Sequence, residues 1–293
     1  MTVLLVGGTG FLGSHVAARL PPRDTVILVR PTSDRRGLPD GVALRLGDLD
    51  DPASLEGALK GVDTLVYCAS MGFGHVPPLV PRLQAAGVAR ALFVSTTALF
   101  TRLPAPSRVG RLAAEQAVQA SSLAWTIVRP TMIYGGERDR NVARLLRFLR
   151  RSPVFPIFGS GRALQQPVYV EDLADAVVAA LASPRAVGRS YNLPGAHPLP
   201  YVDLVRVAAR AVGRDVRLVH VPLRLAVAAT RAVRPLPFGR AIAPEQVLRL
   251  AEDKAFDYAE ARRDFGYHPR SFEEGVRLEA AALGLAPARP ERG

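Results

Sequence analysis

The first thirteen residues constrain the fold most, because a short apolar run there breaks into three spaced glycines. Val3–Val6 has the length and composition of a buried strand, and Gly7, Gly10 and Gly13 follow it as a helical pattern begins at Phe11–Leu20. A strand, a tight glycine turn and a helix N-terminus together cradle a dinucleotide pyrophosphate, since backbone N–H groups and the helix dipole meet the anion there. The segment predicts a nucleotide-binding first βαβ unit.

Short apolar runs alternate with helical patterns through the first half of the chain. Strands are predicted at Val3–Val6, Thr25–Val29, Val42–Leu46, Thr64–Tyr67, Ala91–Val94 and Thr126–Val128, and helices at Phe11–Leu20, Pro52–Leu59, Pro77–Ala86 and Arg111–Ser121. Near-continuously apolar strands in such an alternation are typical of a parallel sheet covered on both faces. We therefore expect an α/β fold with a doubly wound parallel sheet, whose ligands lie beyond the carboxyl ends of the strands.

The second half is less regular and predicts a smaller, mixed but mainly helical subdomain. Its helical patterns fall at Asn141–Arg151, Glu171–Leu181, Tyr201–Val212, Leu223–Val233, Pro244–Leu250, Ala259–Phe265 and Phe272–Ala282. We expect a dinucleotide-binding core over residues 1–135 and a substrate-binding subdomain over 136–286. Within the latter, strands and a helix at about 168–182 return to the core, and 287–293 form a tail.

Composition excludes several classes of protein. Cys68 is the single cysteine, so no internal disulfide can form and a reducing cytoplasmic location is expected. The five histidines show no metal-ligand spacing, so no metal site is expected. No apolar run has the length of a membrane-spanning helix.

The net charge of +12 comes almost entirely from arginine, because Lys60 and Lys254 are the only lysines. Arginines interleaved with alanine, leucine and valine are typical of GC-rich coding, or serve an anionic partner. No nucleic-acid-binding signature accompanies the charge, so nucleic acid is not expected. Residues 222–240 form a basic amphipathic stretch, which either packs over a substrate cleft or contacts an anionic membrane surface peripherally.

Five motifs in a fixed order resemble the NAD-dependent epimerase/dehydratase group of extended short-chain dehydrogenases/reductases. The motifs are Gly7-Gly-Thr-Gly-Phe-Leu-Gly13, Gly47-Asp48-Leu49, Val94-Ser95-Thr96-Thr97, Val128-Arg-Pro-Thr-Met-Ile-Tyr-Gly135 and Pro167-Val-Tyr-Val-Glu-Asp-Leu-Ala174. The segment Phe265–Phe272 also matches the usual ending of that family. The resemblance covers nearly the whole chain and implies a Rossmann fold that binds NAD(P).

The resemblance also implies a role for each matching position. The glycine turn would hold the pyrophosphate, Asp48 and Leu49 would flank the adenine, and other residues would line the ribose and nicotinamide. The implied cofactor residues are Gly7, Thr9, Gly10, Phe11, Leu12, Gly13, Asp48, Leu49, Cys68, Ala69, Ser70, Ser95, Arg111, Pro130, Thr131 and Met132.

The end of the second predicted strand favours NADP(H) over NAD(H). An NAD site usually places an acid there, on the ribose 2′-hydroxyl, whereas this chain has Arg30. A guanidinium suits a 2′-phosphate, and Ser33 and Arg35 lie close enough in sequence to add contacts. The alternative is a solvated basic turn.

The proton relay of the family is missing. Its tyrosine and lysine, aligned on Ala113-Ala114-Glu115, fall on Ser107 and Arg111. A serine hydroxyl is a far weaker acid than a phenol, and arginine does not exchange its proton readily. The chain thus resembles atypical members, such as those of the NDUFA9 type of respiratory complex I.

The sequence also bears on the class of substrate and on the residues that contact it. Gln165 and Gln166 stand where sugar-nucleotide enzymes of the family carry an arginine, so a nucleotide-sugar is not indicated. The predicted substrate residues are Thr97, Tyr134, Arg138, Arg140 and Asn141, and the predicted catalytic residues are Ser95, Thr96 and Tyr134.

Two functional classes follow from these features. The first is an NADP(H)-dependent oxidoreductase or isomerase acting on a small or lipid-like carbonyl or hydroxyl substrate. The second is a non-catalytic NADP(H)-binding scaffold, redox sensor or assembly factor. Either would act as a monomer or homodimer.

Overall fold

The computed structural model describes residues 1–103, 106–233 and 248–287, and it centres on a parallel sheet. The strands, in chain order, are β1 (Val3–Val6), β2 (Thr25–Val29), β3 (Ala43–Leu46), β4 (Thr64–Tyr67), β5 (Arg90–Val94), β6 (Ala124–Pro130), β7 (Ile133–Tyr134), β8 (Val154–Phe158), β9 (Leu164–Gln165), β10 (Val168–Tyr169), β11 (Arg189–Leu193), β12 (Leu199–Pro200) and β13 (Arg217–Val221). Seven of them form one sheet in the order β11-β6-β5-β4-β1-β2-β3. Every pairing within that sheet is parallel.

Ten α-helices are described in those residues. They are α1 (Phe11–Ala17), α2 (Leu55–Leu59), α3 (Val76–Ala85), α4 (Pro106–Gln119), α5 (Val142–Arg151), α6 (Val170–Ala182), α7 (Tyr201–Ala211), α8 (Leu223–Val233), α9 (Ala259–Phe265) and α10 (Phe272–Ala282). Short 3₁₀ turns at Pro52–Ser54 and Met71–Phe73 precede α2 and α3.

Helices cover both faces of the sheet, which explains the unbroken apolar strands. Every residue of β1, β2 and β4 is buried. One face forms a core with α1 and α6, and the other forms a core with α2, α3 and α4. The expected α/β fold with a doubly wound Rossmann sheet is confirmed.

The order of connections changes direction beside β1, which pairs with β2 on one side and with β4 on the other. Chain crossovers leave in opposite directions from this point, so a crevice opens beyond the carboxyl ends of the two pairs. Gly7 and Cys68 follow β1 and β4 directly and therefore lie at that crevice.

A third core forms from the second half of the chain, among α5, α7 and α10. It is joined by three two-stranded pairs: β10 with β7, β12 with β9, and β13 with β8. Two later elements belong to the first half, because β11 pairs with β6 and α6 packs on α1. The division of the chain at residue 135 stays a prediction.

Predicted element bounds are mostly confirmed to within one residue. The clearest difference is α4, which begins at Pro106 rather than Arg111, while α1 ends at Ala17 rather than Leu20. The predicted helix Pro244–Leu250 lies largely outside the described residues, as do 288–293 of the predicted tail.

Among the described residues, none of the helices is both long enough and apolar enough to cross a membrane. The amphipathic stretch 222–240 contains α8, and its residues 234–240 lie outside the described ranges. Peripheral membrane contact stays a prediction.

Candidate active site

The glycine turn has the geometry that a dinucleotide requires. Gly7 takes a positive φ of 80°, and a Cβ there would lie 2.7 Å from the Ala69 backbone nitrogen. The Gly10 N–H donates to the Gly7 carbonyl over 2.9 Å, which closes the turn. A Cβ on Gly13 would overlap that same carbonyl oxygen, so only glycine lets α1 approach so closely. The residues present therefore fit a pyrophosphate at the start of α1.

Arg138 reaches over this turn. Its Nη2 donates to the Thr9 carbonyl over 2.7 Å, although the two residues are 129 positions apart. A cavity of about 520 Å³ lies beside them, with the lining residues Gly10, Phe11, Thr131, Ile133, Arg138, Asp139, Arg140 and Asn141. Arg138, Arg140 and Asn141 were predicted to contact substrate. The structure places all three in the wall of this cavity, beside the glycine turn, and their contact with substrate stays a prediction.

The turn after β2 carries the exposed residues Arg30 and Arg35. The Arg30 backbone N–H donates to the Ser33 hydroxyl over 3.0 Å, which shapes the turn. Asp34, the only acid in it, accepts from the Arg36 guanidinium over 2.9 Å. That pairing lowers the pKa of Asp34 to about 2. Neither Arg30 nor Arg35 has a side-chain partner in the described ranges, so both guanidinium groups are available to an anion.

The predicted adenosine side is formed by two strand ends. Asp48 follows β3 and its backbone N–H donates to the Ser54 hydroxyl over 2.9 Å, while its Oδ1 accepts from the Asp50 N–H. Leu49 packs against the core beside it. Burial raises the pKa of the Cys68 thiol to about 12, so that thiol stays protonated at neutral pH.

The residues after β5 divide into a cavity wall and a buried layer. Thr96 and Thr97 line the larger cavity, and the Thr96 hydroxyl accepts from the Ala98 N–H over 3.2 Å. Thr97 donates to the Pro130 carbonyl. The Ser95 hydroxyl is shielded from solvent and has no hydrogen-bond partner in the described part of the chain. Ser95 lines neither cavity, so its predicted catalytic role has no support in this arrangement.

Ser107 and Arg111 contact each other. Arg111 Nη1 donates to the Ser107 hydroxyl over 2.8 Å. Gly72 packs close by, since a Cβ there would lie 3.4 Å from the Ser107 Cβ and 3.5 Å from Arg111 Nε. Burial lowers the pKa of Arg111, and the charge of nearby Arg249 lowers it further. The pair thus holds a positive charge at the crevice but supplies no acid.

The larger cavity has a volume of about 610 Å³, enough for a small organic molecule. Its lining residues are Thr96, Thr97, Ala98, Phe100, Thr101, Arg102, Thr131, Met132, Arg249, Ala251, Glu252, Asp253, Lys254 and Phe256. Sequence reasoning found Thr96, Thr97, Thr131 and Met132 but missed the wall at 249–256. The sequence marks that wall only by Lys254, one of two lysines, which follows Glu252 and Asp253.

Glu252 fastens this wall to the first half of the chain. Its Oε2 accepts from the Thr101 hydroxyl over 2.6 Å, and its Oε1 accepts from the Arg102 N–H over 2.9 Å. The aromatic rings of Phe100 and Phe256 pack 5.7 Å apart across the same joint. The larger cavity therefore lies between segments about 150 residues apart in the chain.

Tyr134 lies in the third core, not at the cavity. It is 1% exposed, and its ring packs against Tyr169 and Phe272. A Cβ on Gly275 would overlap its hydroxyl oxygen, which shows how closely α10 covers it. Burial raises its pKa far above the ordinary value. Both predicted roles of Tyr134, catalytic and substrate-binding, are wrong.

Gln165 and Gln166, which stand where the family resemblance implies an arginine, have structural partners. Gln166 Nε2 donates to the Gly195 carbonyl over 2.7 Å, and its Oε1 accepts from the Phe256 N–H over 2.8 Å. Gln165 Nε2 donates to the Glu252 carbonyl. Both side chains therefore hold the cavity wall in place. No cluster of metal-ligating side chains is found in the described ranges.

Comparison with known proteins identifies similar sequences over most of the chain. A family model described as NAD(P)H-binding matches residues 7–184. NAD(P)H azoreductase of Xenophilus azovorans is 31% identical over 307 aligned residues, which cover 97% of this chain and 100% of that protein. Ceramide reductase of Caulobacter vibrioides is 29% identical and aligns with 75% of this chain and 73% of that protein.

Solved structures share the fold. UDP-glucose 4-epimerase of Thermus thermophilus, in complex with NAD, superimposes with a TM-score of 0.75 over 97% of this chain and 99% of that chain, at 20% identity. The UDP-glucose 4-epimerase of Thermotoga maritima gives a TM-score of 0.76 at 18% identity, over 97% of this chain and 99% of that chain.

Proposed function

The chain belongs to the NAD(P)H-binding family within the extended short-chain dehydrogenases/reductases, and on that premise we propose that it is an NADP(H)-dependent oxidoreductase of a small carbonyl substrate. It is an enzyme of the oxidoreductase and epimerase type, as its reductase and epimerase relatives support. The preference for NADP(H) and the carbonyl substrate are the two points that we propose.

One observation carries the proposal: Thr131 lines both cavities. The smaller cavity runs along the glycine turn, where a dinucleotide would lie, and the larger one holds space for a second molecule. Hydride transfer requires the two reactants in contact, with reacting atoms about 3–3.5 Å apart. Two cavities that share a wall residue are neighbours, which supports a site where the two reactants meet.

Each chain segment has a separate task in the proposal. The glycine turn and Arg138 hold the pyrophosphate, and Arg111 holds the nicotinamide ribose. The cofactor supplies the hydride when bound. Thr96 orients the substrate oxygen with its hydroxyl, which already accepts a hydrogen bond from the Ala98 N–H and so is free to donate its own proton.

Preference for NADP(H) rests on the turn after β2. The acid nearest to the expected 2′-position, Asp34, is engaged by Arg36, whereas Arg30 and Arg35 have no side-chain partners in the described residues. A 2′-phosphate carries the charge and the oxygen acceptors that guanidinium groups bind best.

Calorimetric titration with NADPH and NADH tests the cofactor assignment. Arg30→Glu is expected to weaken NADPH binding about tenfold to a hundredfold and leave NADH nearly unchanged, since hydrogen bonds to charged groups contribute about 1.5–3 kcal/mol. Arg138→Ala is expected to weaken both nucleotides alike. Arg23→Glu is the matched control, because Arg23 is exposed at the opposite end of β2. Equal loss of both nucleotides in Arg30→Glu would contradict the preference.

Oxidation of NADPH, followed with aromatic aldehydes, enones and an azo dye, tests the reaction. We expect turnover with at least one carbonyl compound, and a deuterium label transferred from NADPH to the product carbon.

The second class, a non-catalytic NADP(H)-binding protein, is favoured by one observation, namely the Ser107–Arg111 contact in place of a tyrosine and lysine. Tight NADPH binding with no oxidation across the panel would favour that class.

A further inference from the structure

The proposed reduction needs a proton donor, and the residues predicted from the sequence are not suited to donate one. The Ser95 hydroxyl is buried, and Tyr134 lies in another core. Ser107 and Arg111 are too weakly acidic to replace a phenol. Thr96 faces the cavity, but an aliphatic hydroxyl is likewise a very weak acid. A donor with a pKa nearer to neutrality is required on the cavity wall.

Lys254 lies on that wall. It lines the larger cavity together with Thr96 and Thr131, and Thr131 also lines the smaller cavity along the glycine turn. Its Nζ donates to the Arg249 carbonyl over 2.6 Å and to Gln165 Oε1 over 3.3 Å. These two acceptors fix the position of the ammonium group. An ammonium has three N–H bonds, so one remains for a ligand.

The surroundings of Lys254 do not neutralise it. Glu252, the acid whose charge acts on Lys254, accepts from Thr101 and Arg102, and the Asp253 Oδ1 accepts from the Leu164 N–H over 2.8 Å. No ion pair of Lys254 occurs among the described residues. Burial lowers the pKa of its ammonium, and the charge of Arg249 lowers it further, against the opposing charge of Glu252. Each effect that lowers the pKa makes the ammonium a better acid.

We propose that Lys254 is the proton donor of the reduction, an inference that rests on the proposed function. Hydride adds to the carbonyl carbon, the C=O π electrons move to the oxygen, and the oxygen takes a proton from the Lys254 ammonium. NADPH becomes NADP⁺, the substrate becomes an alcohol, and the neutral amine regains its proton from water. The step needs no other reactant.

A purely structural lysine would have the same two contacts. In that case Lys254 only ties the wall at 249–256 to β9, and its proton is irrelevant. Arginine separates the two roles, since a guanidinium donates to both oxygens but does not release its proton near neutral pH.

The chain offers a direct measurement, because Lys60 and Lys254 are its only lysines. In the Lys60→Arg variant, Lys254 carries the single side-chain amine, so reductive methylation with ¹³C-formaldehyde labels no other side chain. The chemical shift of the labelled methyl groups then follows the titration of Lys254. Labelled wild type supplies exposed Lys60 as the internal reference. We expect Lys254 to titrate at lower pH than Lys60. Titration of both amines together would overturn the proposal, whether or not the protein turns over.

Turnover provides the second measurement, with NADPH and the carbonyl substrate found in the panel. Lys254→Arg and Lys254→Met are expected to lower kcat about 10²–10⁴-fold, the usual contribution of a general acid. NADPH affinity should stay unchanged, and ethylamine should partly rescue Lys254→Ala. In wild type, kcat should fall as pH rises through the titration of Lys254, and Lys60→Arg should match wild type.

The outcomes separate this inference from the proposed function. Full activity in Lys254→Arg, with the wild-type pH profile, would overturn the role of Lys254 and leave the reductase intact. No turnover by wild type on any compound of the panel would overturn the reductase, and the proton donor with it.

Discussion

Arg111 donates a hydrogen bond to the hydroxyl of Ser107, one helical turn earlier on α4, over 2.8 Å. The two positions are those at which the family resemblance implies a lysine and a tyrosine. The hydrogen bond keeps the guanidinium beside Gly72 and the crevice. Arg111 thus supplies a fixed positive charge where the resemblance implies a lysine, whereas Ser107 supplies no acid where it implies a tyrosine.

Arg111→Ala should therefore weaken the binding of NADPH more than it alters the fold. The guanidinium is expected to contact the nicotinamide ribose, and a hydrogen bond of a charged donor contributes about 1.5–3 kcal/mol. We expect the Kd from calorimetry to rise about tenfold or more. Ser107→Ala, which removes only the partner hydroxyl, is the control and should change the Kd less. An unchanged Kd in Arg111→Ala would exclude the ribose contact.

Gly13→Ala should abolish cofactor binding because the new Cβ would overlap the Gly7 carbonyl oxygen. Either α1 moves away or the turn opens, and overpacking of this kind costs about 1–3 kcal/mol. Gly57→Ala on α2 is the matched control, since nothing lies within 4 Å of its added Cβ. Thermal unfolding should show the first variant less stable and the second as stable as wild type or slightly more. Similar shifts in both would mean that α1 tolerates the methyl group.

Glu115→Gln should strongly destabilise the first half of the chain. Glu115 is 4% exposed, and its Oε2 lies 2.6 Å from Arg129 Nη2, so the substitution leaves a guanidinium that is only 16% exposed without its charge partner. Loss of one member of a buried pair costs about 3–5 kcal/mol. Urea unfolding measures the change. Glu273→Gln breaks the exposed pair with Arg277 on α10 and should cost about 0.5 kcal/mol or less. Equal costs would contradict burial of the first pair.

Glu279 should make the protein less stable as pH rises. Burial raises its pKa to about 9, helped by the neighbouring Asp139 carboxylate, so the folded protein holds a proton there that the unfolded chain has released. The folded state binds the additional proton between the ordinary glutamate pKa of 4.5 and about 9, and the free energy of unfolding therefore falls across that interval.

Glu279→Gln removes this titration while keeping the shape of the side chain. Urea unfolding at several pH values should show a flatter pH dependence in the variant, and a gain in stability relative to wild type at the alkaline end. Parallel curves for the two proteins would show that Glu279 titrates normally in the folded state.

The strands and the cofactor half of the site could be predicted because their signals are local. Buried parallel strands must be apolar along their length, and the glycine turn follows one of them directly. Gly7, Gly10 and Gly13 are needed for reasons of backbone geometry that sequence spacing already expresses. The family resemblance supplied the remaining cofactor residues, whose roles stay predictions.

The walls of the larger cavity could be predicted only in part, because their contacts are long-range. The wall residues Lys254 and Glu252 are hydrogen-bonded to Gln165 and Thr101, over separations of 89 and 151 residues. Tyr134 follows β6 closely in sequence, which suggested the crevice. Tyr134 lies in β7, and the pairing of β7 with β10 places it in the other core, where α10 covers it. Nothing in the local sequence reports the position of α10.

Thr131 forms part of two cavity walls at once, and this sharing has a thermodynamic consequence. Any displacement of that side chain on loading one cavity changes the shape of the other, so the affinities of the two ligands are linked. Linkage is reciprocal: whatever factor the nucleotide applies to the affinity for the second ligand, the second ligand applies to the affinity for the nucleotide. A substrate analogue should therefore reveal itself by changing the dissociation constant of NADPH, before any product has been identified.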